Sequence, residues 1–153
     1  MIRCTLIAFF AIAGATARAA DPVAAEVKKL QGEWRLVEAQ GKKVAKDDAE
    51  TKDMLFVIEG ERFTLKSLAG DGIERKMTFK LDPAKTPKEI DITSLDGREK
   101  ETTAASIYKL EKDRLTICIP HLVEDRTIRP KEFKAGTIDG PILLMTLERV
   151  KSK

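Results

Sequence analysis

The spacing of apolar residues changes its period near residue 33. Upstream, Val23, Val27 and Leu30 recur at i, i+4 and i+7, the spacing of one face of a helix. Asp21 stands as an N-cap before Pro22, a residue suited to the first helical position. Lys28 and Lys29 fall at the negative end of the helix dipole, and Gly32 offers a left-handed stop. The spacing predicts a short amphipathic helix that runs directly into Trp34. Beyond it the period is two. Trp34 and Leu36 flank Arg35, residues 62–66 read R-F-T-L-K, and residues 73–81 read I-E-R-K-M-T-F-K-L. The last string puts Met77, Phe79 and Leu81 on one face and Lys76, Thr78 and Lys80 on the other. Ile90-Asp91-Ile92 and Leu115-Thr116-Ile117-Cys118-Ile119 continue the alternation, which describes antiparallel strands with one buried and one wet face.

Turn residues punctuate these runs at Glu59-Gly60-Glu61, Gly70-Asp71-Gly72, Lys112-Asp113 and Asp139-Gly140-Pro141. Strands are predicted near residues 33–39, 54–59, 62–68, 73–82, 88–93, 104–111, 113–119 and 142–149, with a weaker one near 131–135. A short exposed helix is expected over 46–53, which is rich in Ala, Asp, Glu and Lys. Eight or nine sequential strands joined as hairpins predict an all-β, antiparallel up-and-down barrel of about eight strands with a short N-terminal helix. Closure would remove the open edges of a flat sheet. A two-layer sandwich is the rival arrangement.

Several short motifs keep a specific order along the same stretch. Leu30-Gln31-Gly32-x-Trp34 opens it, and Phe56-x-x-x-Gly60-x-Arg62-Phe63 follows. Leu81-Asp82-Pro83, Pro87-Lys88-x-Ile90-Asp91-Ile92 and Ile107-Tyr108-x-Leu110 come next. Leu115-x-Ile117-Cys118, Arg129-Pro130-x-x-Phe133 and Leu147-x-Arg149 complete the series. In this succession the chain resembles the planctomycete-type lipocalin-like domain family of small exported proteins, with Ser106 where that family more usually has glycine. The resemblance implies a lipocalin-like barrel and leaves the activity open. Lipocalins also carry a Gly-x-Trp at the first strand and a basic residue from the barrel's end that covers the indole; Gly32-Glu33-Trp34 and Arg149 match those positions. A guanidinium over an indole face is a stabilising cation–π contact, so Trp34 and Arg149 are expected to close one end of the barrel as structural residues.

The first 19 residues change the picture of charge and cysteine content. Arg3 precedes the uncharged run L-I-A-F-F-A-I-A-G over residues 6–14, and Ala17-Arg18-Ala19 supplies small residues for cleavage before Ala20. This layout is that of a secretory signal peptide, and the run is shorter than the about 20 residues a permanent span requires. Residues 1–19 are therefore expected to be a signal peptide and residues 20–153 one barrel domain, exported to the periplasm or the outside; an uncleaved membrane tether is the alternative. Cleavage removes Arg3 and Arg18, which lowers the formal charge from +3 to +1. No Lys/Arg cluster interleaved with aromatics is present, so nucleic acid is not an expected partner. Cleavage also removes Cys4 and leaves Cys118 without a disulfide partner. By strict alternation Cys118 faces away from the main core, which predicts a partly exposed thiol, whereas a lone cysteine is more often a small buried apolar residue.

Catalytic and metal chemistry find little support. His121 is the only histidine, and with Cys118 it makes half of a zinc ligand set with no second Cys or His to complete it. Pro120 stands between the two, so a Cys–His nucleophilic pair is not expected either. Asp47-Asp48 and Glu124-Asp125 read as solvated pairs, and neither a phosphate-cradling glycine loop nor a Gly-x-Ser-x-Gly elbow occurs. No cofactor and no enzyme activity are expected. Residues 120–130 (PHLVEDRTIRP) form the longest irregular connection, in which Arg129 reads equally as a functional residue or as one that fixes the loop. Two functions compete. One is a module that binds a small apolar ligand in the barrel, lined by Phe56 (or Leu55), Phe63, Leu65, Met77, Phe79, Ile90, Ile92 and Ile117. The other is a cell-envelope protein-interaction or inhibitor module with a filled core. Aromatics are only 5% of the chain, which favours a packed interior, and an open cavity of roughly 300 Å³ or more would favour the ligand.

Overall fold

The structure, a computed structural model, describes residues 21–40, 42–43, 45, 51, 53–120, 126–137 and 141–151. The proposed signal peptide, the predicted helix over 46–53 apart from Thr51 and Asp53, His121 and the pairs Asp47-Asp48 and Glu124-Asp125 lie outside the described residues. In chain order the elements are α1 (Pro22–Leu30), β1 (Gly32–Ala39), β2 (Lys42–Lys43), β3 (Met54–Glu59), β4 (Arg62–Ser67) and β5 (Glu74–Asp82). They continue with β6 (Lys88–Ser94), a single 3₁₀ turn over Gly97–Glu99, β7 (Thr103–Glu111), β8 (Arg114–Pro120), β9 (Gly136–Thr137) and β10 (Pro141–Arg149).

The helix begins where the capping residues predict: the Asp21 carboxylate accepts the Val23 N–H at 2.9 Å, and Pro22 opens the first turn. The strands meander, each antiparallel to its neighbour, in the order β1-β3-β4-β5-β6-β7-β8-β10. β10 then pairs back onto β1 through Trp34↔Arg149 and Leu36↔Leu147, which closes an eight-stranded barrel and excludes the sandwich. The two-residue strands β2 and β9 add to the outer pairing of β1 and β10. The weak strand expected near 131–135 does not form; the chain there bends, and β9 follows it.

Alternation sorts the side chains onto two faces. Inward rows include Trp34 on β1, Phe56 and Ile58 on β3, Phe63 and Leu65 on β4, and Met77, Phe79 and Leu81 on β5. Ile90 and Ile92, Tyr108, Leu115 and Ile117, and Met145 and Leu147 complete the wall. Leu30, Val23 and Val27 of α1 pack on the same cluster, so the helix stoppers one end.

That end is tied down by polar groups as well. Arg149 lies over the Trp34 indole, its guanidinium carbon 4.2 Å from the ring centroid. The same guanidinium donates to the main-chain oxygens of Gln31 and, at 2.7 Å, Lys29, carbonyls at the helix C-terminus that lack a partner within the helix. The Trp34 indole N–H donates to the Leu30 carbonyl at 3.0 Å. Gln31 bridges outward, giving and accepting hydrogen bonds with the Gly60 backbone in the β3–β4 turn. Gly32 does not serve as the left-handed helix stop expected of it. It begins β1 with φ +120, a conformation that favours glycine, and a Cβ there would stand 3.1 Å from Arg149 Nη1.

A second, smaller layer covers the outside of the barrel. β8 ends at Pro120, which has no N–H, and beyond Ile107↔Cys118 the edge of β7 is left without a β8 partner. The chain returning over residues 126–134 fills this gap. The Ala105 N–H donates to the Arg126 carbonyl at 2.9 Å, and Arg129 donates to the Ser106 carbonyl at 2.5 Å. Arg129 also binds Asp91 at 2.7 Å and Glu89 at 3.3 Å on β6. These contacts make Arg129 a loop-fixing residue. Beneath the strap, Ile107, Cys118 and Ile142 form a small apolar cluster with Phe133 and Leu144.

Candidate functional site

The stopper fills only half of the barrel. At the opposite end lies a cavity of about 720 Å³ that is open beside the β6–β7 connection, whose Asp96, Arg98, Glu99 and Thr102 line it. Its wall is apolar: Phe56, Phe63 and Leu65 from β3 and β4, Met77 from β5, Ile92 from β6, Ala104 from β7, Ile119 from β8, and Leu143 and Met145 from β10. Phe56 and Phe63 stack at a centroid distance of 5.7 Å and form part of this wall.

Five of the eight residues expected to line a ligand site are brought together here: Phe56, Phe63, Leu65, Met77 and Ile92. Phe79, Ile90 and Ile117 face inward but are buried in the packed core and do not line the cavity. The correction has a simple cause. Period-two alternation tells which face a residue occupies, not how far along the barrel axis it stands, and these three stand nearer the helix. Leu55, weighed against Phe56, does not line the cavity either.

The rim is polar, and the sequence reading missed it. Arg75, Ser94, Asp96, Arg98, Glu99, Thr102 and Arg126 surround the opening. Arg75 belongs to the inward row of β5, two residues before Met77, so the alternation already contained it. Its Nη1 would stand 2.7 Å from a Cβ on Gly97, so the guanidinium rests on a glycine whose φ is +72. Arg126 pairs with Glu99, which raises the Arg126 pKa, chiefly through that hydrogen bond. The Asp96 carboxylate accepts the Lys76 main-chain N–H at 3.0 Å.

A buried ionisable cluster and a buried thiol lie away from the cavity. Under α1, Glu26 is almost fully buried and bonds Lys88 Nζ at 2.5 Å and Lys29 Nζ at 3.0 Å. Burial alone pushes its pKa up, but the hydrogen bonds and charges of Lys88 and Lys29 together outweigh burial and hold it below the usual carboxylate value. Tyr108, fully buried beside this cluster, has a hydroxyl with no partner at full hydrogen-bond geometry among the described residues, yet Glu26 is close enough for its charge and a weak polar contact to act. Burial first, and that charge second, raise the Tyr108 pKa well above the usual phenol value. On the barrel's outer face Cys118 does point away from the main core, as alternation requires, but the strap covers it. It is buried, 3.7 Å from the Glu132 carbonyl, and burial raises its pKa, so the partly exposed thiol is corrected to an enclosed one.

Among the described residues no group of three His, Cys, Asp or Glu is placed to hold a metal ion. No helix among them is long and apolar enough to cross a membrane. Comparison of the chain with protein-family models, with curated proteins and with solved structures finds no match in any of the three.

Proposed function

We propose that this protein is an exported, lipocalin-like binding module that holds one small, largely apolar ligand in the open half of its barrel. The observation that supports this reading is the cavity of about 720 Å³. That volume lies well inside the range of about 300–1,000 Å³ spanned by small-molecule sites, and its apolar wall with a polar rim is their usual chemistry. An eight-stranded barrel either fills itself with side chains or leaves room for one small ligand. Here the helix end does the first and the far end does the second. The interaction-module reading rested on a filled core, and the open half removes that support. Export rests on the layout of residues 1–19, and kinship with the planctomycete-type family rests on the motif succession from Leu30 to Arg149.

Two measurements test the binding reading. The first is mass spectrometry of organic extracts from the purified chain, in which a stoichiometric small apolar molecule is expected. The second is titration with the neutral fluorophore N-phenyl-1-naphthylamine, which should bind saturably at one site and be excluded by Leu143→Trp, a substitution that fills the cavity wall. A chain that carries nothing and takes up no fluorophore would refute the proposal.

A further inference from the structure

The charges at the mouth are unbalanced in a specific way. Among the described residues five charged side chains stand on the rim, and both acids of this set are engaged: Glu99 pairs with Arg126, and Asp96 accepts a main-chain N–H. Arg75 and Arg98 line the same opening, are exposed, and make no ion pair or hydrogen bond with any described residue. Arg75 is also the residue that continues the apolar inward row of Met77, Phe79 and Leu81 out to the entrance. A guanidinium at the end of an apolar row, seated on Gly97 and without a counter-ion among the described residues, presents five donors suited to an oxyanion.

We infer that the ligand is a single-chain amphiphile with an oxyanion headgroup, bound with its tail against Met77 and Leu65 and its headgroup between Arg75 and Arg98 at the mouth. The inference rests on the binding reading above and adds the chemical class of the ligand. A neutral headgroup would leave both guanidiniums without a partner among the described residues, and a cationic headgroup would be repelled by described rim residues that comprise three arginines and two carboxylates. Carboxylate and phosphate headgroups share the required chemistry, and the experiment separates them.

The test is displacement of N-phenyl-1-naphthylamine by four ligands with the same twelve-carbon tail: dodecanoate, dodecyl phosphate, dodecanol and dodecyltrimethylammonium. At low salt, dodecanoate or dodecyl phosphate should displace the fluorophore about tenfold more tightly than dodecanol, a charge-assisted pair at a partly exposed rim being worth about that much. The cation should bind more weakly than dodecanol. The stronger of the two anions identifies the headgroup. In Arg75→Gln/Arg98→Gln the anion's advantage should fall below about twofold while dodecanol affinity stays unchanged. Both side chains are exposed, so thermal melting of this variant should match the parent. If the fluorophore binds but dodecanol matches both anions, or the double variant keeps the advantage, the headgroup assignment is overturned and the binding reading stands. If neither fluorophore nor any tail binds, the binding reading itself has failed.

Discussion

Truncation of Arg149 to alanine removes three principal contacts and one exposed ion pair from the helix end of the barrel at once. Two are charge-assisted hydrogen bonds to the Gln31 and Lys29 carbonyls, and the third is the stack on Trp34. In a buried site each such hydrogen bond contributes about 1.5 kcal/mol or more. The Arg149 side chain is 26% exposed, so about 1 kcal/mol each is the better value. The cation–π contact adds about 0.5–1 kcal/mol at this exposure. The 3.3 Å pair with Asp113 is more exposed and adds little. The expected loss is therefore about 2–3 kcal/mol, which for a domain of this size lowers Tm by about 8–12 °C. The assay is thermal melting followed by circular dichroism, alongside emission of Trp34, the only tryptophan. Loss of the covering guanidinium should expose one indole face and shift the native emission to the red. Arg149→Lys, which keeps the charge but not the fork that spans two carbonyls, should recover about half of the loss. Lys80→Ala on an exposed strand face is the control and should change stability by less than about 0.5 kcal/mol. An Arg149→Ala variant that melts within 2 °C of the parent (about 0.5 kcal/mol) with unchanged emission would refute the closure argument.

The remaining predictions concern the buried polar groups. Glu26 has its pKa lowered in the fold, so its contribution to stability is full above the unfolded value near 4.5 and is lost as pH falls through the folded value; denaturant melts should show an acid-side decline below about pH 4.5 that Glu26→Gln makes shallower, at a cost in stability at neutral pH. Tyr108→Phe removes a buried hydroxyl that has no well-formed hydrogen bond among the described residues and should be neutral to stabilising by up to about 1 kcal/mol in the same melts. Tyr108 has its pKa raised, so its contribution is full below the unfolded value near 10 and is lost above it. Tyr108→Phe should therefore flatten an alkaline decline in stability. Cys118 should react with an aromatic disulfide reagent only at the rate at which the strap over residues 126–134 opens; a rate equal to that of a free thiol would show that the strap does not protect it.

Much of the barrel was legible because its physics is local. Alternation fixed the inward faces of β4, β5, β6 and β8, and Asp21, Pro22 and Gly60 marked element ends that the structure keeps. What escaped was set by distance in three dimensions. Glu26 and Lys88 are 62 positions apart and meet only because α1 packs against the β5–β6 end of the barrel. Residues 131–135 read as a weak strand and 120–130 as an irregular connection, yet residues 126–134 form one strap, held by Arg129 on the outer edge of β7 with Phe133 partly buried beneath it. Phe79, Ile90 and Ile117 carry the same local signal as Met77 and Ile92, and only the position of α1 decides which of them meet packed core and which meet the cavity. Arg75 had the parity of the apolar row in plain view. A charged residue in such a row reads as the end of the buried stretch, and here it is also the edge of the opening.

The central claim is that the end of the barrel away from α1 is a ligand site. Methionine methyl groups report on it directly, because Met77 and Met145 line the cavity whereas Met54 does not. In a chain labelled with ¹³C at the methionine methyls, titration with dodecanoate should shift the Met77 and Met145 resonances along saturable curves with a common dissociation constant and leave Met54 in place. Resonances of Met77 and Met145 that stay fixed across the titration would contradict the account.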